Sequence, residues 1–303
     1  MTGASGFVGG AVTRALHEAG HHVLPFGRRT VSNVVDERHE SFASYTQWDI
    51  TDAVRSLDVD AVVHCAALVR QCAPRREFWR SNVSGTRNVI AGTPQGARFV
   101  YVSTASVYAP HSSVAIAESA SCSSSSRYGG SKRAGEELAL AFGSGAVVLR
   151  PHIVYGPGDT TLWPRVMAAC RGGVLTVPGT GHNRISVTHL GNLVDAVCAA
   201  LQPCAPGGIY NIADDEAPTV DELLRTMFSR RGLSVKLRYV PKPLAWIIAA
   251  SLEAAWRASG RRDDPPLTRF AVSGLADSCV LDTTRARNGL GYMPRCNFRD
   301  GPL

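Results

Sequence analysis

Apolar residues in the first half of the chain fall into short runs that alternate with stretches of helical periodicity. Short, nearly continuous apolar runs are typical of strands buried on both faces of a parallel sheet. Strands that alternate with helices at this pitch predict right-handed crossovers and a doubly wound parallel sheet, an α/β fold of the Rossmann type. The predicted strands are 22–27, 45–48, 60–66, 98–104 and 146–153, and the predicted helices are 7–19, 77–91 and 127–142.

The alternation loosens after Gly156-Pro157-Gly158-Asp159, which indicates entry into a smaller C-terminal lobe. We expect a dinucleotide-binding domain over 1–157, rejoined by about 186–213, and a substrate-binding lobe over 158–303. Helix 189–201 and strand 208–212 are predicted to return to the sheet. Thr219 and Glu222 form a capping box that opens a further helix, and 244–256 reads as an apolar helix.

Glycines at positions 3, 6 and 9 precede the first predicted helix. Gly3 can make a tight turn, Gly6 allows a pyrophosphate to approach the backbone, and Gly9 allows close packing of helix on sheet. The alternative is a simple turn before a helix. Only Met1 and Thr2 come before Gly3, so either the start is misplaced or truncated, or the first strand is nearly absent.

The composition of the chain argues against several classes of protein. The 303 residues are 45% hydrophobic and 19% charged, and the net charge of +7 comes from scattered arginine pairs without interleaved aromatics. This pattern argues against nucleic-acid binding. Eight cysteines without a C-x-x-C pair argue against zinc and against a disulfide framework, and no metal site is predicted. The longest apolar run, 244–255, is too short to span a bilayer, and no secretory leader is visible, so we expect a cytoplasmic protein.

Tyr128 and Lys132 lie four residues apart on a predicted helix and therefore on one face. A cation beside a phenol favours the ionised form, and such a tyrosine can exchange a proton with a carbonyl or hydroxyl oxygen. Thr104 follows a strand, at the sheet edge where ligands bind, and could hold the same oxygen. The alternatives are an exposed charged pair and a threonine that caps a turn.

Other strand ends carry candidate cofactor contacts. Asp49, at a predicted helix start with Ile50, could bind an adenine amino group or cap the helix. The segment His64-Cys65-Ala66-Ala67 supplies small residues on which a ribose could lie, or it reflects tight strand–helix packing.

These motifs, taken in order, resemble the extended short-chain dehydrogenase/reductase superfamily, also called the NAD-dependent epimerase/dehydratase family. The resemblance adds Asn82 in Asn-x-x-Gly-Thr-x-Asn and Arg150 in Arg-Pro-x-x-x-Tyr-Gly-Pro. It implies that Tyr128 is the general acid/base, that Lys132 lowers the pKa of Tyr128 and holds the nicotinamide ribose, and that Thr104, with Ser103 as a substitute, is the catalytic hydroxyl. The implied cofactor-binding residues are Gly3, Ser5, Gly6, Phe7, Val8, Gly9, Arg28, Asp49, Ile50, Cys65, Ala66, Ala67, Asn82, Tyr128, Lys132 and His152.

The second predicted strand ends in Arg28-Arg29, where binders of NAD(H) carry a carboxylate, and this favours NADP(H) over NAD(H). Sugar-nucleotide enzymes of the family carry an arginine at the position of Ile185, whereas Arg184 here lies one residue earlier. Residues 150–165 are more similar to the branch of 3β-hydroxysteroid and sterol dehydrogenases and β-keto acid reductases. In that branch, the apolar helix 243–256 could line a hydrophobic pocket, lie at a membrane surface, or simply pack.

We therefore expect an NADP(H)-dependent oxidoreductase that interconverts a ketone and a secondary alcohol on a hydrophobic small molecule, steroid-like or a long-chain β-keto compound. The alternatives are an NAD-dependent sugar-nucleotide epimerase or dehydratase and a non-catalytic NADP-sensing regulator. The resemblance also implies a homodimer that forms through helices 77–91 and 128–142.

Overall fold

A computed structural model describes most of the chain. The greater part of the polar segment predicted at 30–44 and part of the serine-rich connection at 112–126 lie outside the described residues. Those described are 1–30, 44–109, 115–124, 126–261 and 263–302.

Parallel strands build a central sheet and two smaller pairs of strands. Their positions follow the predicted alternation with helices, which confirms the Rossmann-type α/β fold. The described strands are β1 (Phe26–Gly27), β2 (Thr46–Gln47), β3 (Ala61–His64), β4 (Arg98–Val102), β5 (Val147–Pro151), β6 (Val154–Tyr155), β7 (Val174–Pro178), β8 (Thr188–His189), β9 (Gly208–Ile212) and β10 (Lys236–Val240).

Helices connect the strands and cover both faces of the central sheet. They are α1 (Phe7–Glu18), α2 (Arg75–Trp79), a π-helical turn (Arg80–Ser84), α3 (Gly85–Gly92), a 3₁₀ turn (Ala105–Val107), α4 (Arg127–Phe142), α5 (Leu162–Ala169), α6 (Leu190–Leu201), α7 (Val220–Ser229), α8 (Lys242–Ala258), α9 (Arg269–Ala276) and α10 (Thr284–Leu290).

Thr2 lies in the central sheet between β1 and β3. This residue bridges Phe26 of β1 on one side and His64 of β3 on the other, both in parallel. The Thr2 amide donates to the Val63 carbonyl at 3.0 Å, and the Thr2 hydroxyl lies 2.6 Å from Nδ1 of His64. Thr2 thus joins β2 and β1 to the row β3-β4-β5-β9.

Side chains of the central strands alternate between two cores, because successive residues of a strand point to opposite faces. On β4, Val100 and Val102 belong to the core under α1 and α6, whereas Phe99 and Tyr101 belong to the core under α3 and α4. Both faces are apolar, and the strands therefore appear in the sequence as continuous apolar runs.

The C-terminal elements form a second core. β7 and β10 pair in parallel, and α7 packs Leu223, Leu224 and Phe228 into a cluster with Leu175. Thr219 caps α7 as predicted, since its hydroxyl accepts a hydrogen bond from the Glu222 amide at 3.1 Å. In the part of the chain that the structure describes, no helix has the length and apolar character needed to cross a membrane.

Several predicted elements differ from those observed. The strand predicted at 22–27 is hydrogen-bonded in the sheet only as β1, and the helix predicted at 77–91 begins at Arg75 and contains the π-helical turn. No helix begins at Asp49, because its carboxylate accepts from the Thr51 amide at 2.9 Å and closes a turn instead.

Candidate active site

The glycine loop between Thr2 and α1 packs so closely that side chains are excluded. Gly3 has a φ of +74°, and a Cβ there would lie 2.7 Å from the backbone nitrogen of Ala66. A Cβ on Gly9 would lie 2.0 Å from the Gly3 carbonyl oxygen. Both positions therefore require glycine.

The N-terminus of α1 faces a cavity. Its N-cap is Gly6, which has no side chain to bond the amides of the first turn, so those donors and the helix dipole are directed at an anion. Ser5, Gly6, Phe7 and Val8 line the cavity. The guanidinium of Arg29 donates to the Ser5 carbonyl at 2.9 Å and fixes the loop. This open cradle fits the pyrophosphate of a dinucleotide.

The cavity has a volume of about 1030 Å³ and extends from the glycine loop to the C-terminal lobe. It brings together every predicted site residue except Asn82. Those in its wall are Gly3, Ser5, Gly6, Phe7, Val8, Gly9, Arg28, Asp49, Ile50, Cys65, Ala66, Ala67, Thr104, Tyr128, Lys132 and His152.

Asn82 lies behind the wall rather than in it, in contrast to the prediction. It is fully buried in the π-helical turn. Its amide accepts from the Leu68 amide at 2.7 Å and donates to the Leu68 carbonyl and to the Ser131 hydroxyl at 2.9 Å. All polar atoms of the side chain are used, so Asn82 ties the loop at Leu68 to α4 and has none left for a cofactor.

Thr104 lies two residues beyond β4 and caps the 3₁₀ turn, since its hydroxyl accepts from the Ser106 amide at 3.1 Å. The same hydroxyl donates to the Ser106 hydroxyl at 3.2 Å. It also neighbours the phenol of Tyr128 and acts to lower the pKa of that phenol. Thr104 therefore caps the turn and also lies beside Tyr128, so the two alternatives for this residue do not exclude each other.

Tyr128, in the first turn of α4, is half-buried between two aromatic rings. Phe78 and Phe270 lie 6.3 and 6.4 Å from its ring, measured between centroids. Burial raises the pKa of Tyr128 to about 12, against the opposing effects of the neighbouring Thr104 hydroxyl and the positive charge of Arg165. At neutral pH the phenol carries its proton.

Lys132, one turn further along α4, is almost completely buried. Its ammonium donates to the Val102 carbonyl at 2.8 Å and lies 4.0 Å from the centre of the Tyr101 ring. Burial lowers the pKa of Lys132 to about 8. Lys132 is not among the groups that shift the pKa of Tyr128, and the expected lowering of that pKa is not observed. The physical reason is that burial of the phenol dominates and the ammonium is held by Val102.

His152 follows β5 in the cavity wall, and its Nδ1 lies 2.8 Å from the Ser186 carbonyl oxygen. Burial acts to lower the pKa of His152, but interaction with Cys279 and with that carbonyl outweighs burial and raises the pKa. The next residue, Ile153, has a φ of +36°, a backbone conformation that β-branched residues rarely adopt. Such strain is concentrated at functional sites.

A buried ion pair supports α4 from below, and sequence reasoning missed half of it. The guanidinium of Arg150 donates to both carboxylate oxygens of Glu136, at 2.7 and 2.8 Å, and to the Tyr108 hydroxyl at 2.8 Å. The Ser103 hydroxyl donates to the same carboxylate at 2.6 Å. Arg150 was visible in a motif, whereas nothing in the local sequence marks Glu136 as buried.

The end of the cavity beyond Tyr128 is formed by the C-terminal lobe, and its residues were also missed. Leu162, Val166, Trp246, Leu267 and Phe270 give it an apolar surface, interrupted by charged groups that include Arg165. These residues come from three helices and a loop, and only the apolar helix 244–256 gave a signal. Among the described residues, no group of three or more His, Cys, Asp or Glu side chains could hold a metal ion.

Comparison with known proteins agrees with this geometry. Residues 1–213 match the model of the NAD dependent epimerase/dehydratase family. A 2-alkyl-3-oxoalkanoate reductase from Stenotrophomonas maltophilia is 30% identical, over 99% of this chain and 96% of the relative. A farnesyl-dihydroquinoline-oxide ketoreductase from Stigmatella aurantiaca is 27% identical, over 99% of this chain and 93% of the relative.

The solved structure of UDP-glucuronic acid 4-epimerase from Bacillus cereus in complex with NAD superposes with a TM-score of 0.76. It is 21% identical, with 99% of this chain and 94% of that chain covered, and it shares the fold. The glycine cradle, the Tyr128–Lys132 pair and the family match lead to one conclusion: this chain is an oxidoreductase of the NAD-dependent epimerase/dehydratase family, the extended short-chain dehydrogenases/reductases.

Proposed function

We propose that the protein interconverts a ketone and a secondary alcohol on a hydrophobic substrate, with NADP(H) as cofactor. The observation that carries this proposal is the meeting of three groups in one cavity wall, namely the glycine cradle, the neighbouring side chains of Thr104 and Tyr128, and the apolar surface of the lobe. The nicotinamide supplies or accepts the hydride when it is bound.

In the direction of ketone reduction, Tyr128 donates its proton to the carbonyl oxygen as charge develops there. The high pKa of about 12 keeps that proton on the phenol at neutral pH until negative charge develops on the carbonyl oxygen. Thr104 neighbours the phenol in the cavity wall and would orient the same oxygen. Lys132 carries a positive charge below pH 8 and lines the same cavity, where it would hold the ribose of the nicotinamide.

A hydrophobic substrate is supported by the side chains beyond Tyr128. Trp246, Leu267 and Phe270 form an apolar surface against which an alkyl chain or a steroid ring can pack. The Stenotrophomonas and Stigmatella relatives, a 3-oxoalkanoate reductase and a ketoreductase, are named for the same type of reaction. We therefore assign a 3-oxoalkanoate-like compound as the substrate class.

NADP(H) is supported by Arg28, which follows β1 and lines the cavity beside the glycine loop. The strand end reads Gly27-Arg28-Arg29, without the carboxylate that would bind a ribose hydroxyl and repel a 2′-phosphate. Arg29 also lines the cavity, but one of its donors is engaged with the Ser5 carbonyl, so Arg28 is the arginine that we propose as the main contact of the phosphate.

The second candidate is an NAD-dependent sugar-nucleotide epimerase or dehydratase, which the bound ligands of the structural neighbours favour. Against it, Ile185 is fully buried and Arg184 donates to the Ala217 carbonyl, and neither lines the cavity. A diphosphate would therefore lack an arginine from this segment. A non-catalytic regulator would not need Thr104, Tyr128 and Lys132 together.

The test is Tyr128→Phe, assayed by NADPH oxidation with 2-alkyl-3-oxoalkanoates, steroid ketones and aromatic ketones. We expect kcat to fall about 100-fold or more because the proton donor is lost. The affinity for NADPH, measured by calorimetry, should stay within about twofold.

Tyr239→Phe is the matched control, since Tyr239 lies in the lobe outside the cavity wall. Wild-type protein that oxidises NADPH with none of these ketones, but binds UDP-sugars, would favour the epimerase alternative. Turnover that survives in Tyr128→Phe would overturn the mechanism.

A further inference from the structure

Arg165, on α5, lines the end of the cavity that we propose for the substrate. Leu162 and Val166 of this helix pack against the core of the lobe, and they line the cavity together with Arg165. The Arg165 side chain is 40% exposed, so its guanidinium is accessible from the cavity.

Arg165 is only loosely engaged. Among the residues that the structure describes, its one ion pair is a contact of 3.5 Å with Asp264. The Asp264 carboxylate already accepts from the Gln71 and Cys72 amides at 3.0 and 2.8 Å and also contacts Arg70. A guanidinium has five N–H donors, and most of those of Arg165 remain available for a second anion.

The other arginines in this wall have closer partners. Arg269 holds the Glu253 carboxylate through two donors, at 2.8 and 3.0 Å. Arg257 donates to the Glu253 carbonyl and Arg127 to the Ala73 carbonyl. Arg165 is distinguished from these arginines by its position, since its charge acts on Tyr128.

Arg165 also lies within electrostatic reach of the reacting position, because its charge lowers the pKa of Tyr128. In a 3-oxo acid a single carbon separates the ketone carbon from the carboxylate carbon. A ketone oxygen held by Tyr128 would keep that carboxylate within a few bonds of the phenol, in the part of the cavity on which the charge of Arg165 acts. The guanidinium of Arg165 suits a carboxylate, because it carries a positive charge and can donate two parallel N–H bonds.

We infer that Arg165 binds the carboxylate of a 3-oxo acid substrate and so makes the enzyme selective for the free acid over its esters. This inference rests on the proposed function and adds the residue that determines specificity.

The experiment compares a 2-alkyl-3-hydroxyalkanoic acid with its methyl ester, oxidised with NADP⁺, because the hydroxy acids do not decarboxylate. In Arg165→Met we expect KM for the acid to rise about 10- to 100-fold, as loss of hydrogen bonds to a charged group predicts. KM for the ester should stay within about twofold. Arg165→Lys, which keeps the charge but not the fork, should give an intermediate KM for the acid.

Arg238→Met, at an exposed position outside the cavity wall, is the control for removing a surface charge. Thermal unfolding and NADPH affinity of each variant establish that it is folded. Equal effects on acid and ester, or a wild-type enzyme with no preference for the acid, would overturn the assignment of Arg165 and leave the ketoreductase proposal intact. Wild-type protein that oxidises neither compound would overturn both.

Discussion

Burial acts in opposite directions on the two titratable side chains of the proposed catalytic pair. It raises the pKa of Tyr128 to about 12 and lowers that of Lys132 to about 8, since in each case the charged form loses its hydration. The phenol is therefore neutral and the ammonium charged at pH 7. This combination suits a proton donor in ketone reduction better than a proton acceptor in alcohol oxidation.

Selection between NADP(H) and NAD(H) is expected to depend on Arg28. Replacement by alanine removes the cation proposed to meet the 2′-phosphate, so we predict that Kd for NADPH rises about 10- to 100-fold while Kd for NADH stays within about twofold. Isothermal calorimetry with both cofactors measures this, and Arg238→Ala serves as the control. Equal losses for the two cofactors would contradict the prediction.

His64 predicts a dependence of stability on pH. It is fully buried between the Thr2 and Thr86 hydroxyls, at 2.6 and 3.0 Å, and burial lowers its pKa to about 3. The unfolded chain binds this proton near pH 6.5, so the stabilisation is complete above that pH and is lost as the pH falls towards 3. We predict that the free energy of unfolding drops by about 2 kcal/mol between pH 7.5 and 5.

Urea unfolding at several pH values measures this effect. His64→Gln should be less stable at neutral pH but have a flatter pH profile, whereas His21→Gln, at an exposed position, should keep the wild-type slope. If the free energy of unfolding of His64→Gln falls as steeply with pH as that of the wild type, groups other than His64 cause the pH dependence.

At the scale of elements, α4 carries both Tyr128 and Lys132, and its position depends on the buried ion pair below it. Glu136 and Arg150 are both fully buried and bonded through two parallel contacts. A pair of this kind adds little net stability, but removing one partner leaves a buried charge without compensation.

Glu136→Gln is therefore predicted to lower the free energy of unfolding by about 3–5 kcal/mol. Its neighbour Glu137 pairs with Arg133 at the surface, with a side chain that is 62% exposed, and Glu137→Gln should cost less than about 1 kcal/mol. Denaturant titration of both variants measures the difference. A similar, small loss in both would mean that Glu136 is not a structural support of α4.

The elements that the sequence predicted best are those in which pattern and capping agree. The helix predicted at 127–142 and the strand predicted at 208–212 have the bounds of α4 and β9. By contrast, the π-helical turn at 80–84 contains Asn82, whose partners Leu68 and Ser131 are distant in sequence, and no local periodicity encodes these contacts. The assignment of Asn82 to the cofactor came from the family motif instead.

At the scale of the whole molecule, the two ends of the cavity differ in how well their residues could be predicted from the sequence. The end with the glycine loop is built by loops after parallel strands, and the residues predicted for the cofactor, except Asn82, lie in its wall. Their contact with a cofactor stays a prediction. The substrate end draws Arg165, Trp246 and Phe270 from separate helices of the lobe, where many packings satisfy the same apolar pattern. The homodimer through helices 77–91 and 128–142 stays a prediction.

The two bridges of Thr2 have a consequence for the glycine loop. Thr2 is held by Phe26 and His64, which come from distant parts of the chain, so its bridges require β1 and β3 to lie side by side. The glycine cradle begins at the next residue, so its position depends on this pairing. A dinucleotide that binds the cradle binds only the folded chain, and we expect it to protect the protein against unfolding.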